Sequence, residues 1–167
     1  MIRSTQSIVK ALPKRLCIGI GGCFGPCYGV TLEKGRLVYT YSARGPSGGE
    51  PKPEWPLDPK LRELMGLEPL PGPDEIQPSP QQWRAFRRTL DRLNVWCWKR
   101  NYLDAAVCDG TGWSAKIVYS DRSLVSSGDN CFPGRDGRAI SVTGDERDNT
   151  FEKFSRAVAR LVGREFH

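Results

Sequence analysis

Ser79-Pro80-Gln81-Gln82-Trp83-Arg84-Ala85-Phe86-Arg87-Arg88-Thr89-Leu90-Asp91-Arg92-Leu93-Asn94 is the stretch around which the chain is organised. Ser79 is a capping residue, Pro80 suits the first helical position, and Gln82 stands where a capping box needs its third residue, so a helix begins here. Trp83, Phe86, Leu90 and Leu93 recur at i, i+3, i+7 and i+10, which lines one face with bulky apolar groups. Arg84, Arg88 and Arg92 follow i+4 spacing on another face, predicted to be wet and basic.

Upstream, Arg15–Ile20, Tyr28–Leu32 and Arg36–Tyr41 read as strands of an antiparallel meander, with Glu33-Lys34-Gly35 as the short connection between the last two. Residues 43–78 differ in kind. They hold nine of the 13 prolines, and they read as a long extended insertion in which 58–66 forms a short helix. Downstream, Trp113, Ala115, Ile117 and Tyr119 alternate with polar residues and turn at Ser120-Asp121 into a second hairpin. Residues 128–148 read mostly as loop, with a short strand over Ala139–Val142. A last helix is capped by Asn149, carries Glu152 at the capping-box position and ends at Gly163. The expectation is a single α+β domain over 1–167: one antiparallel sheet from two hairpin or meander units, with two helices packed on one face.

Length supports one core, since 167 residues bury about 70% of their unfolded surface. With 38% hydrophobic and 26% charged residues the chain is globular, and no apolar run approaches the ~18 residues of a membrane span. No membrane association is expected. Residues 1–10 are basic without a continuous apolar segment, so a secretory signal is not expected and the location is cytoplasmic. The net charge of +6 is uneven: residues 79–102 carry six basic groups against one acidic, and residues 43–78 carry four against seven. That distribution fits an acidic partner, protein or nucleic acid, and equally a solvated surface.

Residues able to carry chemistry are few. The one histidine is His167, at a terminus of the kind that frays, which disfavours a histidine-activated nucleophile. Asp104, Asp109, Asp121 and Asp129 cluster around the second hairpin and read as turn and cap residues. Cys23 and Cys27 have the spacing of a zinc half-site, with Cys17 as a third sulfur, but no second pair exists among Cys97, Cys108 and Cys131. Buried thiols rank ahead of a disulfide or redox pair, and that ahead of a metal; no metal or cofactor is assigned. Gly19–Gly25 has the look of a phosphate loop but lacks the following helix, and reads as a hairpin turn. Trp96 and Trp98 share a side if their segment is extended; they read either as a stacking pair or as the lid of a core. Ser126–Gly134 reads equally as a ligand loop and as an ordered turn network.

Two local patterns carry a resemblance. Pro80–Trp83, Leu93–Trp98, Asp109–Ser114 and Ser126–Gly134, taken in order, resemble uncharacterised small bacterial proteins, and Gly22–Tyr28 is partly similar to a motif from a domain of unknown function. The first covers about half of the chain. It implies a bacterial source and a fold unit, with no reaction to carry over.

The functional expectation is a non-enzymatic binding module, an inhibitor, immunity protein or accessory subunit. It contacts an acidic protein surface through the basic helix face and the proline-rich insertion, with Arg84, Arg88, Arg92, Lys99, Arg100, Trp96 and Trp98 as binding residues. The alternative is sequence-independent nucleic-acid binding through the same arginines with Lys99 and Arg100. A cysteine-based redox activity is the third reading.

Overall fold

Strand alternation in the meander puts Leu16, Ile18 and Ile20 on one side and Cys17, Gly19 and Gly21 on the other, and the first set is buried. The computed structural model describes residues 12–22, 25–42, 74–107, 110–142 and 148–167. The helix expected over 58–66, residues 43–73 of the insertion, Cys23, Cys108 and Asp109 lie outside the described residues.

β1 (Arg15–Gly22), β2 (Cys27–Glu33) and β3 (Arg36–Ser42) form the expected antiparallel meander, and Lys34 and Gly35, at φ 47° and 82°, close its second hairpin. β6 (Thr111–Val118) and β7 (Ser123–Asp129) form the second hairpin. β1 joins the two units by pairing with β6, so Ile18 stands between Val30 and Ala115, and Ile20 between Tyr28 and Trp113. Two three-residue strands complete the edges: β4 (Asp74–Ile76) beside β3, and β5 (Asn101–Leu103) beside β7. The resulting order is β4-β3-β2-β1-β6-β7-β5.

Two expectations need correction. The sheet is mixed rather than wholly antiparallel, because β5 runs parallel to β7. β5 is reached from a helix, and only a hairpin forces the antiparallel direction. In the described part of 128–148 the short strand expected over Ala139–Val142 is β9 (Ala139–Ser141), but the rest is less loop than expected: β8 (Cys131–Pro133) pairs with β9 as a small second sheet, with a 3-10 turn at Arg135–Gly137 between them.

α1 (Pro80–Arg92) starts as its sequence predicts. Ser79 Oγ accepts from the Gln82 backbone N–H at 3.2 Å, and Gln82 Oε1 accepts from the Ser79 N–H at 2.8 Å. α2 (Thr150–Val162) ends at Gly163 in the left-handed region, also as expected. Its start differs: the Asn149 side chain makes no cap, and Asp148 Oδ1 instead accepts the Thr150 N–H at 2.7 Å. Trp83, Phe86 and Leu90 of α1 and Phe154, Val158 and Leu161 of α2 join the inward strand residues in one core. The chain end is held rather than frayed, with Phe166 buried and the Tyr39 hydroxyl donating to the Glu165 carbonyl at 2.8 Å.

The two motifs behind the resemblance converge on one amide. Asn130 is 1% exposed and sits in the left-handed region at φ 52°. Its Oδ1 accepts the Thr111 N–H at 2.9 Å, its Nδ2 donates to the Val107 carbonyl at 3.2 Å, and its backbone bonds Thr111 and Val142. Glycine is required beside it, because a Cβ on Gly110 would overlap Asn130 Oδ1. Gly128 is constrained in the same way, since a Cβ there would enter the indole N–H of Trp113, which donates to the Cys131 carbonyl at 2.9 Å. Ser126–Gly134 is thus the end of β7 and all of β8, joined at left-handed Asn130. Asn130→Ala is expected to cost about 3 kcal/mol, from two orphaned buried groups and the lower tolerance of alanine for the left-handed region. Asn130→Asp is expected to be no better despite equal size, because a carboxylate oxygen would face the Val107 carbonyl. Urea titration of the three proteins checks both.

Candidate functional site

Along α1 the arginines divide. Arg88 and Arg92 are exposed and Arg84 is half-buried, as a helix face turned from Trp83, Phe86 and Leu90 demands. Arg87, which its spacing did not single out, is the one the fold uses. Its side chain is 12% exposed and makes a bidentate pair with Asp121, at 3.1 and 2.8 Å, and a second with Asp91. Its guanidinium lies 4.3 Å from the Tyr119 ring centroid and 5.0 Å from that of Trp96. Burial works against this charge, and the hydrogen bonds from Asp121 and Asp91 outweigh it, so the guanidinium stays firmly protonated. The same contact with Arg87 holds the exposed Asp121 carboxyl below its ordinary range.

The tryptophans do not share a side. Val95–Cys97 is a 3-10 turn following left-handed Asn94, not an extended run, so Trp96 and Trp98 diverge. Trp96 is half-buried, donates to Asp91 at 2.8 Å and lies under Arg87. Trp98 is buried among Trp113, Phe151 and Phe154, and is a core residue. Lys99 and Arg100 are exposed beyond the turn, with their carbonyls accepting from Ser126 Oγ and the Ser127 N–H.

What the helix pair builds is an open cleft of about 1200 Å³ between the C-terminal end of α1 and the first turns of α2. Six cationic side chains line it, Arg92, Arg135, Arg138, Lys153, Arg156 and Arg160, against the three acids Asp136, Asp148 and Glu152. Asp148 pairs with Arg138 and Glu152 with Arg156. Arg92, Arg135, Lys153 and Arg160 have no ion pair among the described residues. Of the residues expected to bind, only Arg92 reaches this cleft. The α2 cations were missed because residues 103–167 nearly balance in charge, and the imbalance appears only once the fold sorts them onto one surface.

Asp148 fixes the cleft's shape. Its carboxylate, 8% exposed, accepts the Arg135 N–H at 2.9 Å and the Thr150 N–H at 2.7 Å, tying the 135–137 turn to the start of α2. Burial alone would raise its pKa. The hydrogen bonds from Thr150, the Arg135 backbone and Arg138 outweigh that and hold it well below the ordinary carboxylate range.

The remaining candidates do not assemble a site. Cys17 pairs with Thr31 and Cys27 with Gly21, which sets the two thiols roughly 13 Å apart along the strands, too far for one metal. Among the described residues no group of three or more His, Cys, Asp or Glu side chains could hold a metal ion. Among the described cysteines the expectation of buried thiols holds for Cys131, whereas Cys17 and Cys97 are exposed and Cys27 is half-buried. Cys17 and Cys27 fall on the sheet face away from the core, as strand parity requires. Burial, then the Asp104 carboxylate, push the Cys131 thiol up, away from reactivity. Asp104 and Asp121 are turn residues in the structure, Asp104 accepting the Ala106 N–H and Asp121 engaging Arg87.

Two outcomes test this account of the site's framework. The Tyr119 hydroxyl is buried without a partner among the described residues, so Tyr119→Phe is expected to be neutral or stabilising by up to about 1 kcal/mol, whereas Arg87→Ala costs about 2 kcal/mol, both read by thermal denaturation. Asp148→Asn should lose stability relative to wild type at neutral pH. Because the folded carboxyl is depressed, its contribution is complete above the unfolded value near 3.9 and is lost as pH falls through the much lower folded value, so the gap between the two proteins should begin to narrow near pH 4 and keep narrowing well below it. No protein-family model, curated protein or solved structure matches this chain.

Proposed function

We propose that this chain is a non-enzymatic binding module that docks an acidic protein surface on the outer side of its helix layer. The observation that carries the reading is the cleft between α1 and α2, with four cations that have no ion pair among the described residues. Together with exposed Arg88, they make one basic surface on two rigid helices. The proline-rich insertion was expected to share this contact, but most of it lies outside the described residues, so the reading rests on the helices.

Two features favour protein over nucleic acid. Asp136, Asp148 and Glu152 stand inside the cleft, where they repel a uniformly anionic backbone, whereas a protein surface can set donors opposite them. Single-strand binders also stack bases on exposed aromatics, and here Trp83, Trp98 and Trp113 are buried while Trp96 is spent on Arg87. No helix among the described residues is long and apolar enough to cross a membrane. An inhibitor, an immunity protein and an accessory subunit are the protein classes that use such a surface without chemistry of their own.

Charge reversal at Arg84, Arg88 and Arg92 should leave folding intact, each change moving stability by no more than about 0.5 kcal/mol. Trp83→Ala, at a buried position of the same helix, should cost roughly 3 to 5 kcal/mol. In affinity capture from a nuclease-treated extract of the host, the wild-type chain should retain an acidic protein that the triple cleft variant Arg92→Glu, Lys153→Glu, Arg160→Glu loses, with the thermal midpoint little changed. Equal capture by both proteins would refute the proposal. Recovery of nucleic acid from an untreated extract, with steep loss at moderate salt, would transfer the surface to the alternative reading.

A further inference from the structure

The cleft has a geometry that specifies its occupant more closely than charge alone. Lys153, Arg156 and Arg160 follow one another along one side of α2, and the rise between Arg156 and Arg160 is about 6 Å. In an extended peptide, side chains on the same side repeat about every 6.8 Å. Arg92, from α1, and Arg135, from the turn between β8 and β9, line the same cleft. The floor offers little apolar surface, since Leu93 is the only large apolar side chain among its lining residues. A drug-sized apolar ligand would find no hydrophobic seat there.

We propose that the cleft receives an extended acidic peptide segment, with carboxylates at alternate positions, presented by the partner. This rests on reading the helix layer as a surface for acidic protein. Alternate carboxylates reach Arg156 and Arg160 together, and Arg92 takes a further carboxylate. The peptide's own N–H groups meet Asp136, which a phosphodiester chain has no donors to satisfy. Among the described residues Arg156 pairs with Glu152 alone, and both are largely exposed, so that pair exchanges for a ligand carboxylate at little cost. Asp148 keeps the two ends of the cleft in place before binding, which limits the ordering cost.

The test uses the full chain and three probes: a capped octapeptide of alternating glutamate and serine, the same peptide with glutamine for glutamate, and a twelve-nucleotide oligothymidylate. Binding is measured by fluorescence anisotropy at low and physiological salt. The glutamate peptide should bind and the glutamine peptide should not. Arg156→Glu with Arg160→Glu should weaken the glutamate peptide by about tenfold or more, and Arg156→Gln with Arg160→Gln by less. Arg84→Glu with Arg88→Glu should change it less than about twofold. All these positions except half-buried Arg84 are exposed, and circular dichroism confirms that each variant is folded. If the peptide binds but depends on Arg84 and Arg88 instead, the cleft assignment is overturned and the acidic-partner reading stands. If oligothymidylate binds more tightly than the glutamate peptide, both are overturned. If the glutamate peptide does not bind, or binds no better than its glutamine counterpart, the peptide assignment is overturned, and the reading of the surface is then decided by capture with the triple cleft variant.

Discussion

One buried amide holds together the half of the molecule that the strands alone would leave loose. Asn130 closes the start of β6 through Thr111, caps the turn at Val107, and takes the Val142 N–H where β9 ends. Around it, Trp113 reaches over Gly128 to the Cys131 carbonyl, and the Tyr102 hydroxyl accepts from the Lys99 N–H and donates to the Gly137 carbonyl at 2.8 Å. Each of these side chains is buried, and each finds a backbone partner, which is the condition under which buried polar groups are tolerated. The consequence is mechanical. β5, β8 and β9 are only three residues each, too short to be stable by their own ladders, and they are held because side chains from longer elements satisfy the connecting backbone.

That anchoring carries through to the helix layer. The 135–137 turn is pinned at one end by Tyr102 and at the other by Asp148, and Asp148 is also the residue that starts α2. α2 is tied laterally to α1, where Gln82 Nε2 donates to the Arg160 carbonyl. Gln82 also completes the capping box of α1, so one glutamine sets both the start of one helix and its contact with the other. The cleft is therefore bounded by elements tied together by side-chain to backbone hydrogen bonds of Asp148, Tyr102 and Gln82 rather than by its cations. A site built this way keeps its shape when its cations are exchanged, which separates recognition from stability.

Legibility in the sequence followed the length of the periodic signal. α1 was readable because capping, proline and a four-point apolar stripe agree within sixteen residues, and β1, β2, β3, β6 and β7 because alternation persists over seven or eight. β4 and β5 were not readable, since three residues such as Asp74-Glu75-Ile76 carry no period, and their strand character comes from the neighbour they meet. Arg87 was hidden for a different reason. Between Arg84 and Arg88 it looks like one more surface charge, and only the folded position of Asp121, 34 residues away, turns it into a buried pair. The cleft was hidden because its cations come from segments far apart, each balanced locally by acids. Trp96 and Trp98 were misplaced because a left-handed Asn94 ends the helix with a 3-10 turn, and left-handed asparagine has no fixed sequence signature.

The division of labour among the arginines bears most on function. An arginine engaged by two carboxylates and two aromatic rings is unavailable to a partner, and Arg87 is in that state. Arg84 and Arg88 have no such partners among the described residues, and Arg88 is exposed and escapes the desolvation that Arg87 bears. The helix thus spends one guanidinium on fixing its orientation over the β6–β7 turn, and leaves Arg88 exposed on its surface and Arg92 in the cleft. Fixing the helix by charge at its edge leaves its apolar stripe wholly to the core, so no exposed hydrophobic patch is needed for docking. On the proposed reading, recognition of the partner falls to charge and shape. That favours fast, salt-sensitive association with a partner whose carboxylates are arranged to match, and it disfavours the permanent apolar interface of an obligate subunit.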